Sequence, residues 1–218
     1  MSDDSQIKIH PSAFVDEGAV IGAGTAIWHF SHICAGAVIG KSCSLGQNVL
    51  VADNAYLGNN VKVQNNVAIY GGITVENDVF LGPSCVLTNV TNPRSQVSRK
   101  SLYEKTLIKR GATIGANATI VCGVTLGRYC FIGAGSVVTK DIPDYGLVIG
   151  NPGKLSGYIS RHGHKLTFNE SGRATCPESK FVFEKLDQQV SCLDLNEDDP
   201  LPPDLSFGSQ GYDSFKNR

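Results

Sequence analysis

The sequence predicts an all-β protein in which very short strands coil into a stacked, three-faced prism. Three observations carry that expectation. Aliphatic residues recur every six positions, Gly reaches 24 of 218 residues, and only 18% of residues are charged. A helical bundle needs more Glu, Lys and Arg on its surface, whereas a coil of short strands needs tight corners.

The register begins at Ile9 and runs through Val15, Ile21, Ile27, Ile33, Ile39, Leu45, Val51, Leu57, Val63, Ile69, Val75, Leu81 and Leu87. It resumes at Ile108 and continues through Ile114, Ile120, Leu126, Ile132 and Val138. Four residues after each aliphatic stands a small or apolar residue, as at Ala19, Thr25, Ser31, Ala37, Cys43 and Val49. Turn formers fill the intervals, among them Ala23-Gly24, Asn59-Asn60, Asn65-Asn66 and Asn77-Asp78. Each hexad thus reads as one strand plus one corner, and three hexads close a coil of 18 residues. The aliphatic points into the prism, and the corner takes residues that tolerate a left-handed backbone. Successive coils pair as parallel strands at about 4.8 Å, so the twenty hexads predict six to seven coils and a prism about 30 Å tall. Cys43, Cys85 and Cys130 fall in the small inward slot, and Cys34 and Cys122 follow aliphatic positions; all five read as packing residues.

The register breaks between Leu87 and Ile108, and residues 93–107 form an excursion. The excursion carries Arg94, Arg99, Lys100 and Lys105, within a stretch 93–110 that gathers six of the 19 basic residues in a chain of net charge -1, and so reads as functional rather than as a solvated insertion. The coiled domain is expected over 7–150, followed by an extension over 151–195 with a short helix at 155–162 and a hairpin within 164–195. Cys176 resembles half of a zinc ribbon, but no second Cys follows at ribbon spacing. The acidic, Pro-containing segment 196–218 is expected to be disordered.

Near-neutral charge argues against a nucleic-acid partner. The long uncharged run from Gly18 to Gly40 contains five Gly and two His, so it does not read as a membrane span. The polar, acidic start reads as no leader, and seven cysteines without close pairs suit a reducing compartment, so a cytoplasmic protein is expected.

Several segments carry a resemblance. The hexads, the excursion, Val138-Thr139-Lys140-Asp141-Ile142-Pro143 and Gly150-Asn151-Pro152-Gly153-Lys154 are similar to those of the hexapeptide-repeat acyltransferases. Within that group, Ile27-Trp28-His29, Gln64-Asn65-Asn66-Val67 and the run from Gly82 to Arg94 resemble the nucleotide-sugar N-acetyltransferases. The resemblance spans roughly residues 7 to 165. It implies a left-handed parallel β-helix, a homotrimer, and acetyl-CoA lying between neighbouring prisms, with no metal. It implies a UDP-linked 3-amino sugar as acceptor, 2-acetamido-3-amino-2,3-dideoxyglucuronate, in the making of surface polysaccharide such as O-antigen. It places Asn117, Gly133 and Ala134 beside the pantetheine, and Lys140, Lys154 and Arg161 near the CoA phosphates.

Chemistry of the residues agrees with transfer to nitrogen. Hexapeptide O-acetyltransferases carry a His just before the excursion; here the segment reads Thr91-Asn92-Pro93, and no His stands between His32 and His162. A sugar hydroxyl needs a general base, whereas an amine of pKa near 8 is about a third neutral at pH 7.5. Asn89 is expected to hydrogen-bond the amine, with Asn92 as the second candidate. His29, Gln47 and Asn65 lie 18 apart and stack at one corner, where they could bind the nucleotide sugar or simply form a solvated ladder. Tyr70 is expected against the ring, and Arg94 opposite a substrate carboxylate. The alternatives within the fold are an O-acetyltransferase and a dTDP-3-amino-sugar N-acetyltransferase. A zinc carbonic anhydrase of prism type lacks its later His ligands here, and an ice-binding or scaffold prism lacks a Thr-x-Thr array.

Overall fold

The computed structural model describes residues 5–208 and 210–215. It is a three-faced parallel β-solenoid, the architecture that a left-handed hexapeptide β-helix requires. The first face stacks Lys8–Ile9, Ala26–Ile27, Ser44–Leu45, Lys62–Val63, Phe80–Leu81, Thr113–Ile114, Phe131–Ile132 and Gly146–Ile149. The second runs from Phe14–Val15 to Val137–Val138 in seven strands, and the third from Val20–Ile21 to Thr125–Leu126 in six. The solenoid therefore has an eighth strand level on one face, more than the six to seven coils expected.

The register is the expected one. Lys8 pairs with Ala26 and Ile9 with Ile27, an offset of 18, and the pairing steps by 18 along the coil until the excursion. Across the excursion Val75 pairs with Ile108, so the coil closes as if the intervening segment were absent. Ile33, Leu45, Leu57, Ile69, Leu81 and Ile108 are fully buried, forming one core down the axis. The small slot also carries polar links. Thr25 Oγ1 donates to the Gly40 carbonyl at 2.8 Å and accepts the Cys43 N–H at 3.1 Å, and Ser31 repeats the device with Gly46 and Val49.

Corner glycines divide into two roles. Some hold positive φ, such as Gly36 and Gly72, but much of that duty falls to Asn48, Asn54, Asn60, Asn66 and Asn117. Gly40 is needed for another reason: a Cβ there would lie 2.5 Å from the Gly58 carbonyl oxygen on the next coil.

Three sequence expectations change. The short helix expected at 155–162 is instead a strand, Lys154–Ile159, antiparallel to Gly146–Ile149. The last strand of the first face offers unpaired backbone groups, and the following chain folds back to fill them. A further strand, Lys165–Leu166, continues this edge, and 173–192 forms a three-stranded antiparallel sheet ending in the hairpin of Val182–Leu186 with Gln189–Cys192. Of the tail 196–218 expected to be disordered, residues 209 and 216–218 lie outside the described residues, and the described part is held against the body. Tyr129 Oη donates to the Glu197 carbonyl at 2.7 Å, His162 Nε2 lies 2.9 Å from the Leu205 carbonyl, and the His164 ring stacks on Tyr212. Cys34, expected in the core, faces outward and is half-buried, whereas Cys43, Cys85, Cys122 and Cys130 are buried.

Candidate active site

The three corners of the prism differ, and the excursion leaves from the one between the second and third faces. The strand Val86–Leu87 precedes it and Thr106–Ile108 follows, so the segment outside the coil is 88–105. Its base is tied shut. Glu104 N–H donates to the Asn89 carbonyl at 3.0 Å, and Cys122 N–H donates to Thr88 Oγ1 at 2.9 Å. The Thr91 hydroxyl donates to the Glu104 carboxylate. That carboxylate occupies the space a side chain at Gly123 would need, 2.5 Å from the position of its Cβ. Further out, Arg99 Nε donates to the Asn92 carbonyl at 3.0 Å, and Val97 N–H to the Arg94 carbonyl at 3.0 Å. A cleft of about 620 Å³ lies inside the excursion, lined by Val90, Arg94, Arg99, Lys100 and Tyr103 among others.

Asn89, Asn92 and Arg94 are thus gathered in the excursion, and Tyr70 lies on the same corner, 39% exposed. Glu104 and Thr91 belong to the same cluster and were not singled out in the sequence. One signal was available: Glu104 is the sole acid within 93–110.

His29, Gln47 and Asn65 do stack on successive coils, but at the corner between the first and second faces. Asn48 N–H bonds the His29 carbonyl, and Asn66 N–H bonds the Gln47 carbonyl, both at 2.9 Å. Asn65 Oδ1 accepts the Gln47 N–H at 2.8 Å, as Asn59 and Asn77 do for Lys41 and Asn59 at another corner. Asn65 therefore spends its oxygen on coil stacking. The His29 ring stacks on His10 at 3.5 Å, and its Nδ1 is buried without a hydrogen-bond partner among the described residues. Within one chain, this ladder and the excursion lie on different edges.

The expected CoA residues also separate. Asn117, Gly133 and Ala134 meet on the His29 corner, where Gly135 N–H bonds the Ala116 carbonyl at 2.8 Å. Lys140 is exposed on the excursion corner, and Lys154 is exposed where the chain folds back. Arg161 does not fit the phosphate role. Its side chain is 2% exposed; it stacks on Tyr129 at 4.3 Å and bonds the carbonyls of Asn196 and Asp199 and the Glu197 carboxylate. Burial opposes its charge, but contact with Tyr145, Tyr129 and Glu197 holds its pKa above the ordinary arginine value. Burial likewise raises the Tyr145 and Tyr129 hydroxyls.

The chain matches the bacterial transferase hexapeptide family (six repeats) over residues 7–53, 54–89 and 105–140. It belongs to that family. It is 46% identical over 168 residues to the dTDP-3-amino-3,6-dideoxy-alpha-D-galactopyranose 3-N-acetyltransferase of Aneurinibacillus thermoaerophilus, covering 77% of this chain and 86% of that one. Among solved structures, the acetyltransferase domain of PglB from Neisseria gonorrhoeae FA1090 is 24% identical with a TM-score of 0.47, over 69% of this chain and 58% of that one. PerB from Caulobacter crescentus, in complex with CoA and GDP-perosamine, is 26% identical with a TM-score of 0.44, over 69% and 57%. Among the described residues no helix is long and apolar enough to cross a membrane.

Proposed function

We propose that the chain transfers acetyl from acetyl-CoA to the 3-amino group of a dTDP-linked amino sugar, in the cytoplasm, for surface polysaccharide. The observation that carries this reading is the 46% identity, over most of both chains, to an enzyme named for that reaction. The resemblance pointed to a UDP-linked uronate, and this relative's name favours the alternative, a dTDP-linked 3-amino sugar. The sugar it names is a dideoxy-galactose without a carboxylate. Arg94 then loses the partner expected for it and becomes a contact to nucleotide phosphate.

The chemistry rests on the amine. Its neutral nitrogen attacks the thioester carbonyl, a tetrahedral centre forms, the C–S bond breaks, and CoA leaves as a thiol after taking the nitrogen's proton. The excursion itself carries no imidazole, since no His stands between His32 and His162. Asn89 orients the amine by a hydrogen bond, and backbone N–H groups stabilise the oxyanion. The exposed apolar residues of the second and third faces, Phe14, Val86, Val20 and Tyr56, support a homotrimer in which a neighbour covers them.

CoA release, measured against dTDP- and UDP-linked amino sugars, tests the reading. Release is expected to be fastest with a dTDP-3-amino sugar, and absent with its 3-hydroxy counterpart. The rate at limiting sugar is expected to rise with pH, to half its limit at about pH 8, and to level off about one unit higher. No release with any 3-amino sugar overturns the proposal. Preference for the UDP-uronate would restore Arg94 to its carboxylate.

A further inference from the structure

The excursion corner carries a second group of reactive side chains, three turns before the excursion and about 14 Å from it by strand spacing. We propose that Asp16, His32 and Cys34 form a binding site for a divalent metal ion of the zinc class. The inference is independent of acetyl transfer.

The geometry is that of three converging donors. One ligand atom from each residue lies within 4.8 Å of the other two, and among the described residues no other three His, Cys, Asp or Glu side chains converge this tightly. His32 Nε2 stands 3.1 Å from Asp16 Oδ1. Around a tetrahedral zinc, with bonds of about 2.0–2.3 Å, neighbouring ligand atoms lie about 3.3–3.6 Å apart. The nitrogen and oxygen are already close to that separation, and the Cys34 sulfur lies within 4.8 Å of a ligand atom of each of the other two.

The coil holds the three backbones in place. Asp16 N–H bonds the Ile33 carbonyl, Cys34 N–H the Val51 carbonyl and His32 N–H the Val49 carbonyl, at 2.8–2.9 Å. The second oxygen of Asp16 accepts the Ala35 N–H at 3.2 Å, which fixes the carboxylate with Oδ1 toward His32. The His32 ring packs T-shaped with Phe14, the ring centroids 5.5 Å apart. Such outer contacts orient metal ligands and tune their affinity.

The donor set also selects the ion. One thiolate, one imidazole and one carboxylate suit zinc and its neighbours rather than magnesium or calcium. In the single chain His32 is 45% and Asp16 31% exposed, so the chain itself leaves a fourth position unfilled. The outward turn of Cys34 sets it apart from the four buried cysteines of the coil. The 18-residue period aligns Cys34 with Asp16, and His32 lies two residues before Cys34.

Cobalt titration of the chelator-treated full chain tests this. One Co2+ per chain is expected, with a thiolate-to-cobalt charge-transfer band and the intense visible bands of four-coordinate cobalt. Cys34→Ser is expected to abolish the charge-transfer band, and His32→Ala to weaken binding at least about tenfold. Cys192→Ser keeps every cysteine of the coil and is expected to leave the band unchanged. No charge-transfer band in the unaltered chain, or a band that survives Cys34→Ser in a protein of unchanged circular dichroism, overturns the proposal.

Discussion

Asn89 joins two jobs in one residue: its carbonyl closes the base of the excursion, and its amide is the group proposed to meet the amine. Asn89→Ala keeps the carbonyl and removes only the amide. It is therefore expected to lower kcat/KM at least about tenfold, with little change in melting temperature. A kcat/KM within a factor of two of the parent enzyme would remove that role. The buried thiols give a separate residue-level expectation. Burial pushes Cys85 up to about 12. At pH 8 roughly one molecule in ten thousand then carries its thiolate, so Cys85 is expected to resist alkylation in the folded protein and react on denaturation. Because the folded pKa is the higher one, the associated stability is intact below pH 9.0 and declines as pH rises toward about 12. Peptide mapping after iodoacetamide at pH 8 checks the first point; rapid native labelling of Cys85 would contradict it.

At the scale of the strand and corner, corner positions serve unlike ends. Gly40 and Asn54 are both corner residues, yet Gly40 is pressed against the next coil and Asn54 holds a positive φ of 57°. Gly40→Ala forces a Cβ into backbone and is expected to cost about 1–3 kcal/mol or more. Asn54→Gly relieves a left-handed strain while loosening the unfolded chain, and is expected to stay within about 1 kcal/mol of neutral. Urea midpoints of the two variants provide the comparison, and equal losses would show that stacking does not set the requirement at Gly40. This distinction also shows what the sequence could tell. The aliphatic register was readable because from Ile27 to Leu87 every sixth side chain is buried on the axis, whatever its neighbours. Cys34 was misread for the converse reason. Its surroundings, Asp16 and His32, are set by an outward turn at the corner rather than by its place after Ile33. The strand Lys154–Ile159 was missed because its pairing partner is the open edge of the first face, which local propensity does not encode.

At the scale of the whole molecule, polar contacts over long sequence distances bind the extension to the prism. Arg161 is the centre of that attachment, meeting Tyr129 of the coil and Asn196, Glu197 and Asp199 of the tail. Arg161→Ala leaves the Glu197 carboxylate and the buried Tyr145 hydroxyl without a cation, at a cost on the order of 3 kcal/mol. A denaturant midpoint is the measurement, and a loss below about 1 kcal/mol would mean the tail is held by its apolar contacts instead. Composition alone suggested disorder here, because the chain beyond 195 is acidic and poor in aliphatics. The arginine that neutralises it lies 36 residues from Glu197 in sequence. The site divides the same way. The excursion's residues cluster because they are neighbours in the chain, whereas the His29 ladder sits on another edge, a separation visible only once the three faces are assembled.

The tail has one more consequence. The repeat makes the three edges of the prism nearly interchangeable, and an isolated coil could present any of them to a second copy. Glu197 and Asp198 lie along the edge that carries Asp78, Arg110 and Tyr129; Arg110 ties Asp78 to the Asp198 carbonyl there. That edge is already occupied from within. The molecule thereby becomes sided, and an approaching copy meets two free edges, one bearing the excursion and one bearing the His29 column.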